Sequence, residues 1–384
     1  MNIWRSRCLS SREMTQGIAS QSPAQQALID AAGGGDEGAF ARLVQPHRGE
    51  LHAHCYRMLG SVHDAEDALQ ETLLRAWRAI GRFEGRSTLR SWLYTIATNV
   101  SLNLIAKRPK RVLPIDYGPR TDPHEGPGDP VVESVWIEPY PDERLGLEDE
   151  LAGPEARYEL RESVELAFVA ALQHLPPNQR AVLILREVLG FSAAEVADTL
   201  GTTVASVNSA LQRARKTAEE RLPERSQQET LGAIGDERLS EIVDGYVDAW
   251  LRGDVGTVAA MLTEDATFAM PPLRSWFGGR AEIEQFLARY PMSGRWRWRV
   301  VRTQANGQPA LGFYTWDEER HAHLPFALNV LSFRREQISD VVAFVSRSTA
   351  PTERSDYVRW PDYPADAKRL DATFGQFNLP AELN

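Results

Sequence analysis

From Ser61 to Arg111 the chain reads SVHDAEDALQETLLRAWRAIGRFEGRSTLRSWLYTIATNVSLNLIAKRPKR, two amphipathic helical patterns around a short polar loop. In the first pattern, Asp64 to Ile80, one stripe holds Ala65, Leu69, Thr72, Leu73, Ala76, Trp77 and Ile80. That spacing gives a helix with one buried face. The opposite stripe holds Asp67, Gln70, Glu71, Leu74 and Arg78. Leu74 is apolar among polar neighbours, which suggests a partner surface. Ser61, with Asp64 three residues on, can cap the helix, so Asp64, Glu66 and Asp67 also suit its N-terminal dipole.

The second pattern, Leu89 to Lys107, places Leu89, Leu93, Ile96, Ala97, Val100 and Leu104 inward and Ser91, Thr95, Thr98 and Asn99 outward. Short hydrogen-bonding side chains let a base or a backbone come close. From Arg75 to Arg111 nine Lys or Arg stand against one acid, Glu84, with Phe83, Trp92 and Tyr94 among them. Charges that track phosphates and rings that stack on bases suit single-stranded nucleic acid, at ~1–3 kcal/mol per stacked base.

The run DAEDALQETLLRAW, followed by F-x-G-x-S-x-x-x-x-WLY-x-IA-x-N, resembles region 2 of bacterial sigma-70 family factors, in particular the extracytoplasmic-function (ECF) group. The resemblance implies that the acidic helix docks on the clamp helices of RNA polymerase through Asp64, Glu66, Asp67, Gln70 and Glu71, with Leu74 beside them. It implies that the loop Glu84 to Thr88, with Arg86, Ser87 and Thr88, captures a base flipped from the promoter −10 element. Arg90, Ser91, Trp92, Thr95 and Asn99 would then read the −10 strand.

The net charge of −10 is opposite to what a nucleic-acid binder needs until it is located. Thirteen acids against three arginines between Asp116 and Glu159 account for all of it, so the acidity belongs to a linker. This segment, 112–154, is rich in Pro and Gly, so long regular structure is not expected, although Val135, Trp136 and Ile137 suit docking. No apolar run reaches membrane-spanning length. Cys8 and Cys55 form neither a metal spacing nor a disulfide framework, which fits a cytoplasmic protein. His47, His52, His54 and Cys55 sit on a helical pattern with Phe40, Leu43, Val44, Leu51 and Met58, and read as structural rather than as a metal site.

Residues 155–222 read as a helix from Arg161 to His174 followed by a helix-turn-helix. Ser192 and Glu195 make a capping box for a helix through Leu200, Gly201 and Thr202 turn, and the next helix buries Val204, Val207, Leu211 and Ala214. Its outer face carries Thr203, Ser206, Asn208, Ser209, Gln212, Arg213 and Lys216, side chains able to pair with base edges and phosphates. LPPNQR-x-V-x-x-L-R-x-x-x-G-x-S-x-x-E-x-A-x-x-L-G, ending in AL-x-RAR, resembles sigma region 4. That implies −35 DNA as the ligand of those seven residues, although Asn208 stands where many relatives carry Lys or Arg.

After a polar linker, 223–236, residues 237–350 read as helices followed by an antiparallel sheet, with Asn306-Gly307 as a hairpin turn. The order of elements, with LTEDATF and FGGRAEIEQFL, resembles the SnoaL-like, nuclear-transport-factor-2-like cone fold. The cone encloses a pocket, for which Asp254, Asp265, His321 and His323 are candidate catalytic groups and Trp276, Trp296, Trp298 and Tyr314 candidate walls. Fold alone confers no activity, and the domain reads as regulatory.

The expected architecture is therefore multidomain. A disordered extension (1–23) leads to an all-α region 2 bundle (24–111), a linker, an all-α region 4 helix-turn-helix and an α+β cone domain, with a tail (351–384) whose aromatics suggest packing. The implied function is that of a non-enzymatic sigma factor without cofactor. Its partners are core polymerase, promoter DNA, an anti-sigma factor and, within the chain, the cone domain against the sigma domains. The alternatives are a helix-turn-helix regulator that works without polymerase, or a hydrolase or cyclase in the cone domain.

Overall fold

The computed structural model describes residues 22–127, 131, 135–145, 154–318, 320–346, 370 and 373–384. The N-terminal extension lies almost wholly outside them, as does WPDYP of the tail. The chain divides into two compact units, residues 1–110 with 144–224, and 111–143 with 225–384.

Unit 1 is helical. α1 (Pro23–Gly33), α2 (Glu37–Val44), α3 (Arg48–Leu59), α4 (Val62–Ala79) and α5 (Leu89–Ile105) form its first part. Ser61 caps α4 by accepting from Asp64 N, and Thr88 caps α5 by accepting from Ser91 N. α3 is buried on all sides, including His52, His54 and Arg57. The expected single helix from Arg161 to His174 is instead two, α6 (Pro154–Glu162) and α7 (Leu166–Gln173). At the break Ser163 donates its hydroxyl to Leu160 O, a local alternative to the helical ladder, and Glu165 takes a non-helical conformation. α8 (Pro177–Leu183) runs into a π-turn at Ile184–Val188. The helix-turn-helix follows as α9 (Ala193–Leu200), with the capping box formed, and α10 (Val204–Glu219). α10 buries Val207, Ala210, Leu211, Ala214 and Ala218, whereas Val204 in its first turn is exposed.

α5 departs most from its pattern. Ile96 and Leu104 are only half-buried, while Ser91, Thr98 and Ser101 are buried. The helix is enclosed by α3 and α4 on one side and by α8 and α9 on the other. Its small polar residues therefore face protein: Thr98 hydrogen-bonds His54 at 2.9 Å.

In unit 2, α11 (Gln227–Ile234), α12 (Asp236–Leu251), α13 (Val255–Ala260) and α14 (Arg280–Arg289) pack with a six-stranded sheet. Its strands are β1 (Leu262–Ala269), β2 (Trp276–Gly278), β3 (Trp298–Ala305), β4 (Gln308–Asp317), β5 (Ala322–Arg334) and β6 (Gln337–Val345), in the order β2-β1-β6-β5-β4-β3. Only β1 and β6 are parallel neighbours. The β3–β4 hairpin turns at Asn306-Gly307, both with positive φ. The expected polar linker 223–236 contains α11, because Gln227 is buried and completes the strand ladder, donating to Phe333 O and accepting from Phe333 N. The acidic linker also belongs here. Val112 pairs with Trp136, Tyr140 and Asp142 bond the Asn306-Gly307 turn, and Val135, Trp136 and Ile137 are buried. FGQFNLP packs back, with Phe374 against Tyr314, and beyond it Leu383 pairs with His323.

Candidate polymerase and nucleic-acid interfaces

The acidic helix separates its carboxylates into two kinds. Asp64 is buried and ion-paired with Arg108. Glu66 is half-buried, 2.8 Å from Arg144 of the turn Asp142–Leu145. Burial would push the Glu66 carboxyl up, but His52 and Arg144 outweigh it and hold it below its ordinary value. Asp67, Gln70 and Leu74 are exposed, with Leu74 at 42%. Glu71 is half-exposed and bonded to Arg75 one turn on. Of the six predicted docking residues, Asp67, Gln70 and Leu74 thus face solvent within unit 1, and Asp64 does not.

The −10 set divides similarly. Arg86, Ser87 and Thr88 lie on an exposed loop, and Arg86 pairs with Glu84. Trp92 is half-buried against Phe83, their rings 5.1 Å apart. Arg90 is held 2.9 Å from Glu50, which also accepts from Tyr94 Oη at 3.1 Å and bonds His47 at 2.7 Å. Burial pushes the Glu50 carboxyl up, and the His47 bond and Arg90 charge more than reverse this. Ser91 Oγ donates to Glu195 at 3.3 Å, and Thr95 Oγ1 lies 3.0 Å from Thr199 Oγ1. Phe191 closes on Tyr94 at 5.4 Å between ring centroids, with the Arg90 guanidinium 5.4 Å from the Phe191 ring. The first helix of the helix-turn-helix therefore covers part of the α5 face predicted to read DNA. Asn99 stays exposed and donates to Thr95 O.

Sequence reasoning missed Glu50, Arg144 and Thr199, and read Glu195 only as a cap. Glu195 does serve as that cap, through Ser192 N, while also accepting from Ser91. No local pattern marks a contact spanning about a hundred residues. By contrast, all seven −35 candidates, Thr203, Ser206, Asn208, Ser209, Gln212, Arg213 and Lys216, are exposed on α10 or at its cap.

In unit 2 a cavity of about 460 Å³ opens beside the sheet. Trp296 and Trp298 line it, whereas Trp276 and Tyr314 do not. Trp276 donates to Gly118 O and Tyr314 to Pro380 O. The four catalytic candidates also lie outside the lining. Asp254 caps α13, Asp265 pairs with Arg334, and Trp316 stacks with His321 and meets His323 edge to face. Among the described residues no three His, Cys, Asp or Glu side chains group to hold a metal ion, and no helix is long and apolar enough to cross a membrane.

A helical unit with an acidic helix, a basic loop and a helix-turn-helix, followed by a cone domain, defines a sigma-type transcription initiation factor. Family patterns match accordingly: Sigma-70 region 2 over residues 43–111, Sigma-70 region 4 over 165–217 and the SnoaL-like domain over 243–341. The ECF RNA polymerase sigma factor SigG of Mycobacterium tuberculosis is 42% identical over 318 residues, 82% of this chain and 83% of that one. SigE of Mycolicibacterium smegmatis is 31% identical over 215 residues, 54% of this chain and 71% of that one. A solved structure of the M. tuberculosis extracytoplasmic function sigma factor SigJ aligns with a TM-score of 0.49 at 22% identity, covering 78% of this chain and 93% of that one. The chain belongs to the ECF RNA polymerase sigma factors and carries a SnoaL-like domain.

Proposed function

We propose that this protein directs core RNA polymerase to promoters and that unit 1 represents its resting form. Asp67, Gln70 and Leu74 dock on polymerase. The exposed face of α10 reads −35 duplex, which leaves it competent in the resting form. Arg86, Ser87 and Thr88 capture melted −10 DNA, and Ser91 and Thr95 contact it once α9 has withdrawn. The observation that carries this reading is the pair of contacts Ser91–Glu195 and Thr95–Thr199, which occupy side chains the −10 strand needs. Melting costs on the order of 1.4 kcal/mol per stacked step, and the basic, aromatic stretch offsets it through phosphate contacts and stacking.

The chain acts where polymerase and DNA are, in the cytoplasm, and has no catalytic role. The paired or capping states of Asp254 and Asp265, and the position of both histidines away from the cavity, support that reading. The cone domain modulates the sigma unit by holding the connection that joins region 2 to region 4. The test is binding of labelled core polymerase by the full chain and by Asp67→Arg with Gln70→Ala. The double variant should lose binding while remaining folded; unchanged affinity would remove the docking assignment.

A further inference from the structure

The cavity of unit 2 lies between α12, α14 and one face of the sheet, and its walls are chiefly aromatic: Trp250, Phe268, Phe286, Trp298, Phe313 and Phe326. Two residues of the lining carry a buried atom with no hydrogen-bond partner among the described residues, Nε1 of Trp250 and Oδ1 of Asn329. Each belongs to a side chain only 3% exposed. A buried donor and a buried acceptor left unpaired are costly, and an occupant bearing a polar group would satisfy them. The charged lining residues Glu125, Arg289 and Arg295 are all exposed, so the interior favours a neutral molecule. The volume lies within the range of sites for drug-sized ligands.

Glu125, Gly126 and Pro127 complete the lining. They come from the segment that connects residue 110 to residue 144. Gly126 has φ +80°, and a Cβ there would fall 2.6 Å from Tyr290 Oη. Only glycine permits both that backbone and that approach.

We propose that this cavity binds a neutral, ring-bearing small molecule with at least one hydroxyl, carbonyl or amide group, and that residues 125–127 form its lid. Trp250 Nε1–H donates to the ligand's polar group and Asn329 Oδ1 accepts from it, while the rings fill the aromatic walls. Occupancy thereby bears on how firmly the connection between the sigma modules is held. The site deepens the modulating role given to the cone domain. Binding is read without polymerase or DNA, so its failure is distinct from failure of promoter function.

The probe is N-phenyl-1-naphthylamine, neutral with two ring systems and one N–H, titrated into the full chain and read by energy transfer from tryptophan. Saturable binding of one probe per chain is expected. Ala343→Phe, which fills the cavity, should weaken it about tenfold or more. Asn329→Leu, a milder change, should lower the preference for the probe over 1-phenylnaphthalene about fivefold. Saturating probe should slow tryptic cleavage after Arg120 about threefold or more. Uptake that never saturates, or wild-type binding by both folded variants, would overturn the site. Unchanged cleavage at Arg120 would overturn the lid.

Discussion

Thr199→Phe tests whether α9 restrains the −10 face. Thr199 is half-buried, 3.0 Å from Thr95 through the hydroxyls, and is not among the side chains assigned to DNA. The substitution removes that hydrogen bond, a loss of about 1 kcal/mol. It also forces a ring against α5, where overpacking costs about 1–3 kcal/mol. Thr95 remains satisfied because its hydroxyl also donates to Ser91 O at 3.0 Å. Thr and Phe have similar helix propensities, so the sum of about 2–4 kcal/mol falls on the closed arrangement rather than on α9. At 1.4 kcal/mol per decade the open population rises by about 30-fold or more while the closed form dominates, and apparent affinity rises with it. The assay is fluorescence anisotropy with a single-stranded oligonucleotide carrying the −10 element, with circular dichroism to confirm folding. Neither net charge nor any assigned DNA contact changes, so tighter binding has only opening to explain it. Unchanged or weaker affinity in a folded variant would refute the covering role.

The carboxylates of α4 should separate by assay. Asp64→Asn breaks a pair whose Asp64 side chain is 8% exposed but whose Arg108 is 36% exposed. It should cost about 1–2 kcal/mol in thermal unfolding after allowance for that solvation, whereas Asp67→Arg should leave Tm unchanged and impair polymerase binding. Arg86→Ala should reduce the salt slope of −10 strand binding by about one phosphate's worth and leave polymerase affinity intact; an unchanged slope would remove that contact. Stability should fall with acid. Burial, then Arg144, pushes His52 down to about 4, and burial, then Arg57, pushes His54 down to about 3. Both folded values lie below the unfolded 6.5, so the unfolded chain binds more protons and stability is lost as pH drops from 6.5 toward 4. At pH 5 each histidine accounts for a loss of about 2 kcal/mol relative to pH 8. A flat or rising Tm over that span would contradict the neutral burial of both.

What the sequence revealed and what it concealed follow from the range of the interactions. Capping at Ser61, the Ser192–Glu195 box and the Asn306-Gly307 turn are local chemistry, and each forms as its spacing implies. The burial of the α5 face was not foreseen, because short hydroxyl side chains suit a nucleic-acid surface and a close helix contact alike, and the packing of α8 and α9 against α5 joins elements far apart in sequence. Asp64 shows the same limit: its helical position was correct, yet its burial depends on Arg108, more than forty residues away. In the cone domain Trp296 and Trp298 were placed in the cavity wall correctly. Trp276, Tyr314 and the candidate acids and histidines lie outside the lining, because strand direction and register, and for Asp254 its place as the cap of α13, decide which side chains face inward. Gln227 and Gln228 look like linker residues until the strand edge and turn that they bond are in place.

The most direct measurement is promoter-specific transcription by purified bacterial core polymerase with the full chain, on templates selected for binding. Transcripts from a fixed start, dependent on the chain and raised by Thr199→Phe, are expected. Specific duplex binding without polymerase, with no transcript from any selected template, would contradict it.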